Sequence, residues 1–147
     1  MLECHLLITN APIMELPFEK QSELIVLALF SSPFKSDRSE LAEFLSEQLK
    51  TSKKKTFEAI EVAEAIEKKL DGIDELISAH LKEYSLERLG KVELAILRYC
   101  VYLLELKDKS DKQVISEGIR LCKKFTSTQA SDLIHAVVDA IIKAKAS

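Results

Sequence analysis

The chain has 147 residues, a formal net charge of −3, 47% hydrophobic and 31% charged side chains. These values indicate one globular domain and exclude a disordered chain or one that is basic throughout. They also predict an all-α fold class, because no proline follows Pro33 and runs of β-branched or aromatic residues between turn signals are scarce.

Residues 1–16 are expected to form an N-terminal tail or leader. They lack the basic start of a signal peptide and are interrupted by Asn10 and Pro12. No uncharged run approaches the ~20 residues needed to cross a bilayer, so no membrane association is expected. The three cysteines show no C-x-x-C spacing, which favours free thiols in a reducing cytoplasm.

Apolar periodicity predicts about seven helices joined by short connections. At the start of the second, Asp37 stands at capping-box spacing from Glu40, and Gly72 is expected just past the end of the third as its C-cap. The predicted helices cover approximately residues 18–31, 36–49, 57–71, 74–84, 91–106, 112–125 and 126–144.

The fifth of these helices is apolar nearly all round, which predicts a central helix surrounded by neighbours. It nevertheless holds Glu93 in its first turn and Arg98 in its middle. The helix dipole favours a negative charge at the first position by ~0.3–1 kcal/mol. Because an isolated buried charge is costly, Arg98 should lie on the ring of Tyr102, pair with a carboxylate on another helix or extend to solvent. On these grounds alone, a structural role is favoured for both charges.

Four lysines, at positions 50, 53, 54 and 55, lie between the second and third helices. A solvated loop and helix entry is the favoured interpretation, since exposed lysines are common. A patch that contacts phosphates is the alternative.

No metal, cofactor or enzymatic site is predicted. His5, His80 and His135 and the three cysteines lack the spacing that places two ligands together, and Cys100 and Cys122 are expected to be buried. The glutamates of residues 58–67 lack a Glu-x-x-His partner, and no phosphate loop or hydrolase motif occurs.

Three blocks in the second half of the chain resemble the NusB family of bacterial transcription antitermination factors. They read "LGKVELAILRYCVYLLEL", "VISEGIRLCKKF" and "LIHAVVDAI", and the similarity covers about residues 86–145. The matching residues are Val92, Glu93, Ala95, Leu97, Arg98, Tyr102, Val114, Ile115, Glu117, Leu121, Lys123, Phe125, Val137 and Asp139.

The resemblance implies a single NusB-like helical domain over residues 17–147, a compact bundle with subdomains at about 17–84 and 85–147. It implies a non-enzymatic adaptor that joins boxA-type RNA and the ribosomal protein NusE to RNA polymerase in the antitermination complex. The family pattern assigns Glu93 to the face that meets NusE, and we add Phe30 and Tyr102 as partner-binding candidates. Arg98 is expected to serve the fold.

The chain departs from the family pattern where RNA is expected to bind. The first helix is arginine-rich in the family, but here Lys20 is its only basic residue, and the loop before the last helix reads "TSTQAS" instead of carrying an acidic Asp-Ser pair. The RNA-binding candidates are Lys20, Lys123, Lys124, Ser127 and Gln129, with Lys53, Lys54 and Lys55 as a less favoured substitute for the missing arginines.

Two alternatives and the oligomeric state remain open. A protein–protein interaction module with RNA binding largely lost is favoured by the missing arginines and opposed by residues 107–147, whose net charge is +3. An accessory domain of an RNA-modifying enzyme is suggested by the NusB-like region of some ribosomal RNA methyltransferases. Association into a homodimer is also left open.

Overall fold

Seven α-helices and two short 3-10 turns, with no strand, make up the residues that the computed structural model describes, namely 16–34, 37–82 and 85–146. The all-α prediction is therefore confirmed. The predicted tail at 1–16 lies outside these residues except for Leu16. The helices are α1 (Phe18–Ser31), α2 (Arg38–Leu49), α3 (Lys53–Glu67), α4 (Leu70–Ala79), α5 (Lys91–Leu106), α6 (Asp111–Phe125) and α7 (Thr128–Ala146).

Local capping chemistry sets several of the helix ends. The carboxylate of Asp37 accepts a hydrogen bond from the Glu40 backbone N–H at 2.8 Å, so Asp37 caps α2 as its spacing from Glu40 predicts. At the start of α6, the Ser110 hydroxyl accepts from the Gln113 N–H at 3.1 Å, and the Gln113 side chain accepts in return from the Ser110 N–H at 2.9 Å. This reciprocal capping box satisfies two N–H groups that a helix terminus leaves without intrahelical partners.

The predicted C-cap at Gly72 is wrong. The third helix ends at Glu67, and Gly72 lies inside the first turn of α4. Ile73 and Ile77 repeat at helical spacing, and both are buried on α4. Burial of two such side chains, worth ~1.5–3 kcal/mol each, outweighs the ~1 kcal/mol that a glycine costs inside a helix.

The described helices fall into two units, α1–α3 and α4–α7, which divide between Glu67 and Lys68. In the first unit, α1 packs against both α2 and α3. The family resemblance implied a subdomain boundary near residue 84, which is after α4 rather than before it. In the structure, α4 packs on α5 and α7 in the second unit. The apolar face of α4 therefore belongs with the helices that follow it.

Helix α5 is the central helix of the second unit, as its apolar sequence predicts. It packs against α4, α6 and α7, and nine of its sixteen residues are buried. Arg98 pairs with a carboxylate on another helix, which is one of the three predicted arrangements for a charge in such a helix. Its Nε donates to Oδ1 of Asp74 on α4 at 2.9 Å, and its Nη2 donates to Oδ2 at 2.8 Å. Arg98 thus joins two helices of the fold.

Within the described part of the chain, no helix is both long enough and apolar enough to cross a membrane.

Candidate functional site

The start of α5 meets the connection between α6 and α7 at one end of the second unit. The hydroxyl of Thr126, which lies in that connection, donates a hydrogen bond to Oε2 of Glu93 at 2.7 Å. Residues 123–129 form the last turn of α6, the connection and the first residues of α7, and are called here the α6–α7 corner. The hydrogen bond therefore places Glu93 beside this corner.

The carboxylate of Glu93 is held on two sides. Its Oε1 lies so close to Gly90 that a Cβ atom at residue 90 would overlap it. The backbone of Gly90 has an ordinary φ of −62°, so this close approach, rather than the backbone conformation, is what favours glycine there. Glu93 is half-buried, and its charge also lies in the first turn of α5, where the helix dipole favours it.

The thiol of Cys122 lies near this carboxylate and is fully buried. Burial, and secondly the negative charge of Glu93, raise the pKa of Cys122 to about 12. The thiol is therefore protonated at neutral pH. Cys122 and Cys100 are both buried, as predicted, and they serve as small apolar side chains in the core.

Four of the five predicted RNA-binding residues belong to the corner. Lys123 and Lys124 are exposed in the last turn of α6, where the helix dipole favours cations. The Ser127 hydroxyl oxygen accepts from the Ala130 N–H at 3.0 Å and so caps α7, which leaves its hydroxyl hydrogen available to donate. The side chain of Gln129 is exposed. The corner thus presents two cations and two neutral hydrogen-bonding groups beside one carboxylate.

Tyr102 does not join this cluster. It is buried, with 7% of its surface exposed, and it lies nine residues beyond Glu93, about 13.5 Å along the helix axis. Burial, followed by the charge of Asp108, raises the pKa of its hydroxyl. Its partner-binding role stays a prediction that its burial does not support.

The remaining two candidates lie on α1 in the first unit. Lys20 forms an ion pair with Glu23 at 3.8 Å, and its side chain is 39% exposed. Phe30 is half-buried near the other end of the helix, about 15 Å further along the axis. The positive charge that α1 keeps is therefore partly matched within α1 itself.

Two side-chain contacts of the second unit were not predicted by the sequence analysis. The Glu93–Thr126 hydrogen bond joins residues 33 positions apart, and no periodic pattern predicts such a contact. The bidentate pair between Glu117 and Arg120, with oxygen–nitrogen distances of 2.6 and 2.9 Å, could have been found from its i,i+3 spacing. Among the described residues, no group of three or more His, Cys, Asp or Glu side chains could hold a metal ion.

A known protein family and individual known proteins are similar to this chain over most of its length. A model of the NusB family matches residues 20–143. The transcription antitermination protein NusB of Campylobacter curvus (strain 525.92) is 32% identical over 119 residues, which are 81% of this chain and 91% of that protein.

Two solved structures are similar to the fold described above. NusB of T. maritima superposes with a TM-score of 0.71 and 30% identity, over 88% of this chain and 93% of that one. A chain in the crystal structure of antitermination factors NusB and NusE in complex with dsRNA gives a TM-score of 0.70 and 27% identity, over 86% of this chain and 96% of that one.

Proposed function

This chain belongs to the NusB family of transcription antitermination proteins, and we propose that it is a non-enzymatic adaptor that joins boxA-type RNA and the ribosomal protein NusE to the transcribing RNA polymerase. The similarity to a structure that contains NusB, NusE and dsRNA supports this proposal. Bacterial transcription takes place in the cytoplasm, and the adaptor acts there.

The observation that carries the proposal is the hydrogen bond between Glu93 and Thr126. It holds a carboxylate, suited to a basic group on a protein partner, next to the lysines and the amide of the α6–α7 corner, which are suited to RNA. Partner and RNA can therefore bind side by side on one surface of the second unit, as an adaptor requires.

RNA binding at the corner relies on lysine in this chain. The ammonium groups of Lys123 and Lys124 contact backbone phosphates, which supply affinity and orientation. The Gln129 amide and the Ser127 hydroxyl donate hydrogen bonds to base edges or phosphates. Lys20 adds less, because Glu23 already offsets part of its charge.

Protein binding relies on Glu93 in the second unit, and Phe30 is a separate candidate contact on the first. The Glu93 carboxylate is half-buried and its Oε2 already accepts the Thr126 hydroxyl. A cation of NusE therefore meets a carboxylate whose orientation is fixed in advance, which lowers the entropy cost of binding.

Titration of fluorescent boxA-like RNA at two salt concentrations, with and without purified NusE, tests the proposal. Glu93→Gln keeps the shape of the side chain and removes its charge, so we expect about a tenfold loss in NusE-dependent affinity, which is ~1.4 kcal/mol, and little change for RNA alone. Lys123→Gln/Lys124→Gln should weaken RNA binding and reduce the salt slope by ~1.4, at ~0.7 per lost contact with a single strand.

Lys112→Gln/Lys145→Gln is the matched control. It removes two exposed lysines from the first turn of α6 and the last turn of α7, away from the α6–α7 corner. If this control lowers the salt slope as much as the corner variant, the corner is not the RNA site. If neither RNA nor NusE binds to the unmodified chain, the adaptor proposal is wrong.

A protein–protein module with RNA binding largely lost is the second candidate. One observation favours it, because α1 keeps a single basic residue and that residue is paired. This candidate predicts tight binding of NusE and RNA binding only when NusE is present. The same titration therefore separates the two functions.

A further inference from the structure

The turn between α2 and α3 in the first unit carries four lysines, whereas the rest of these two helices is mainly acidic. Lys50 follows α2, and Lys53, Lys54 and Lys55 form the first turn of α3. Residues 50–55 are called here the lysine turn. Lys50, Lys53 and Lys54 are exposed and Lys55 is half-buried, and within the described parts of the chain none of the four pairs with a carboxylate.

These lysines occupy positions that folding disfavours for this residue type. Lys50 follows the C-terminus of α2, where the helix dipole favours a cation, but its φ of 52° lies in the left-handed region that favours glycine or asparagine. Three cations stand at the start of α3, where the helix dipole favours anions, and no acidic residue accompanies them in that turn. Four like charges so close together also repel one another. Fold stability therefore does not account for the cluster.

The helices on either side carry the opposite charge. Exposed glutamates continue along α2 and α3, at Glu40, Glu43, Glu47, Glu61 and Glu67. The exposed arginine of α2, Arg38, pairs with Glu64, so the unpaired positive charge of the two helices is concentrated in the turn. A polyanion would be attracted to this end of the helices and repelled from their acidic faces.

The chemistry of the turn points to phosphates rather than to a protein partner. Its residues from position 50 to position 55 are lysine, threonine and serine only, so it lacks the apolar and aromatic side chains that form the core of a protein interface. The Ser52 hydroxyl already caps α3, by accepting from the Lys55 N–H at 3.2 Å. Point charges on flexible stems bind a nucleic-acid backbone without reading its sequence.

We propose that the lysine turn is a second RNA contact, which binds backbone phosphates of single-stranded RNA independently of base sequence. This inference rests on the adaptor function proposed above and adds a phosphate contact in the first unit to the α6–α7 corner of the second. It also supplies positive charge to a unit whose first helix keeps only Lys20.

The test is a salt titration of Lys53→Gln/Lys54→Gln/Lys55→Gln with boxA-like RNA that carries flanking nucleotides on both sides. The slope of log affinity against log salt should fall by ~2 if all three lysines contact phosphates, at ~0.7 each. The loss should be the same when the flanking sequence is scrambled. The variant should also unfold at an equal or higher temperature, because it removes cations from a helix N-terminus.

Lys68→Gln/Lys69→Gln/Lys82→Gln is the matched control, since it removes three exposed lysines and the same total charge elsewhere. It should leave the salt slope unchanged. A lysine-turn variant that unfolds at a higher temperature and binds RNA like the unmodified chain would overturn the proposal, since its lysines would then be solvated residues only.

Two further outcomes identify other errors. If the lysine-turn variant loses affinity for NusE in the absence of RNA, the turn contacts protein and the phosphate proposal is wrong. If the unmodified chain binds no RNA with or without NusE, the proposed function and this inference are both wrong. If the unmodified chain binds RNA and the lysine-turn variant binds it equally well, only this inference is wrong.

Discussion

The ion pair between Arg98 and Asp74 makes a quantitative prediction about how α4 is attached to the central helix. Two hydrogen bonds of 2.9 and 2.8 Å connect the guanidinium to the carboxylate. The side chains are 23% and 22% exposed, so more than three quarters of each is shielded from water. Substitution of Arg98 with methionine keeps most of the apolar stem and removes the charge.

The burial of the pair sets the expected magnitude. Exposed ion pairs contribute ~0.2–1 kcal/mol, whereas removing one partner of a fully buried pair costs ~3–5 kcal/mol because the other charge is left desolvated. A pair with this intermediate exposure should lie between those limits. Arg98→Met is therefore expected to lower the free energy of unfolding by about 2 kcal/mol, which corresponds to a melting temperature lower by about 6 °C.

A double-mutant cycle with Asp74→Asn, measured by urea denaturation, isolates the interaction. The coupling free energy should be about 1.5 kcal/mol, since the pair is well aligned and largely shielded. Glu75→Gln is the control, because this exposed neighbour on α4 loses the same charge without losing the pair. A coupling below about 0.5 kcal/mol, or an equal loss in the control, would refute the reasoning.

Gly118→Ala should destabilise the fold by about 1 kcal/mol, because its Cβ would lie 2.9 Å from the Cys100 sulfur and 3.1 Å from Ile134 Cγ2 and overpacking outweighs the gain in helix propensity. Gly72→Ala should stabilise the fold by a similar amount, because a Cβ at residue 72 would have no other atom within 4 Å. If urea denaturation shows that both substitutions change the free energy of unfolding in the same direction, this reasoning is wrong. Burial raises the pKa of Cys122 from 9.0 to about 12. Above pH ~9 the unfolded chain therefore releases a proton that the folded chain keeps, so the unfolding free energy falls as pH rises. Cys122→Ala should make that fall less steep between pH 8 and 10.5 in urea denaturation, but not abolish it, because burial also raises the pKa of Cys100.

The helices were predictable where local chemistry decides them. Pro33 cannot continue α1, and the side chain of Asp37 caps α2 through a residue only three positions away. The prediction failed at Gly72, where a local stop signal was outweighed by the burial of Ile73 and Ile77. That burial depends on neighbouring helices, which a single stretch of sequence does not reveal.

The candidate site was predictable only in part, for the same reason. The Ser/Thr-rich start of α7 and the lysines that precede it are adjacent in sequence, so their common location was readable. The association of Glu93 with Thr126 was not, because it depends on how α5 lies against the α6–α7 hairpin. Likewise, the burial expected for Arg98 predicted that it has a partner but did not identify Asp74. That pairing depends on the rotation of α4 and α5 about their axes.

Glu93 and Arg98, two of the four charged residues of α5, give this helix directional contacts that its apolar residues cannot provide. Hydrophobic burial is non-directional, so a helix that is apolar nearly all round has little to fix its rotation about its own axis. Glu93 and Arg98 are five residues apart, which places them about 140° apart around a helix of 3.6 residues per turn. One is bound to the α6–α7 corner and the other to α4. Together they fix the rotation of α5 from two directions, and the contact that holds the candidate site in place is therefore also one that specifies the fold.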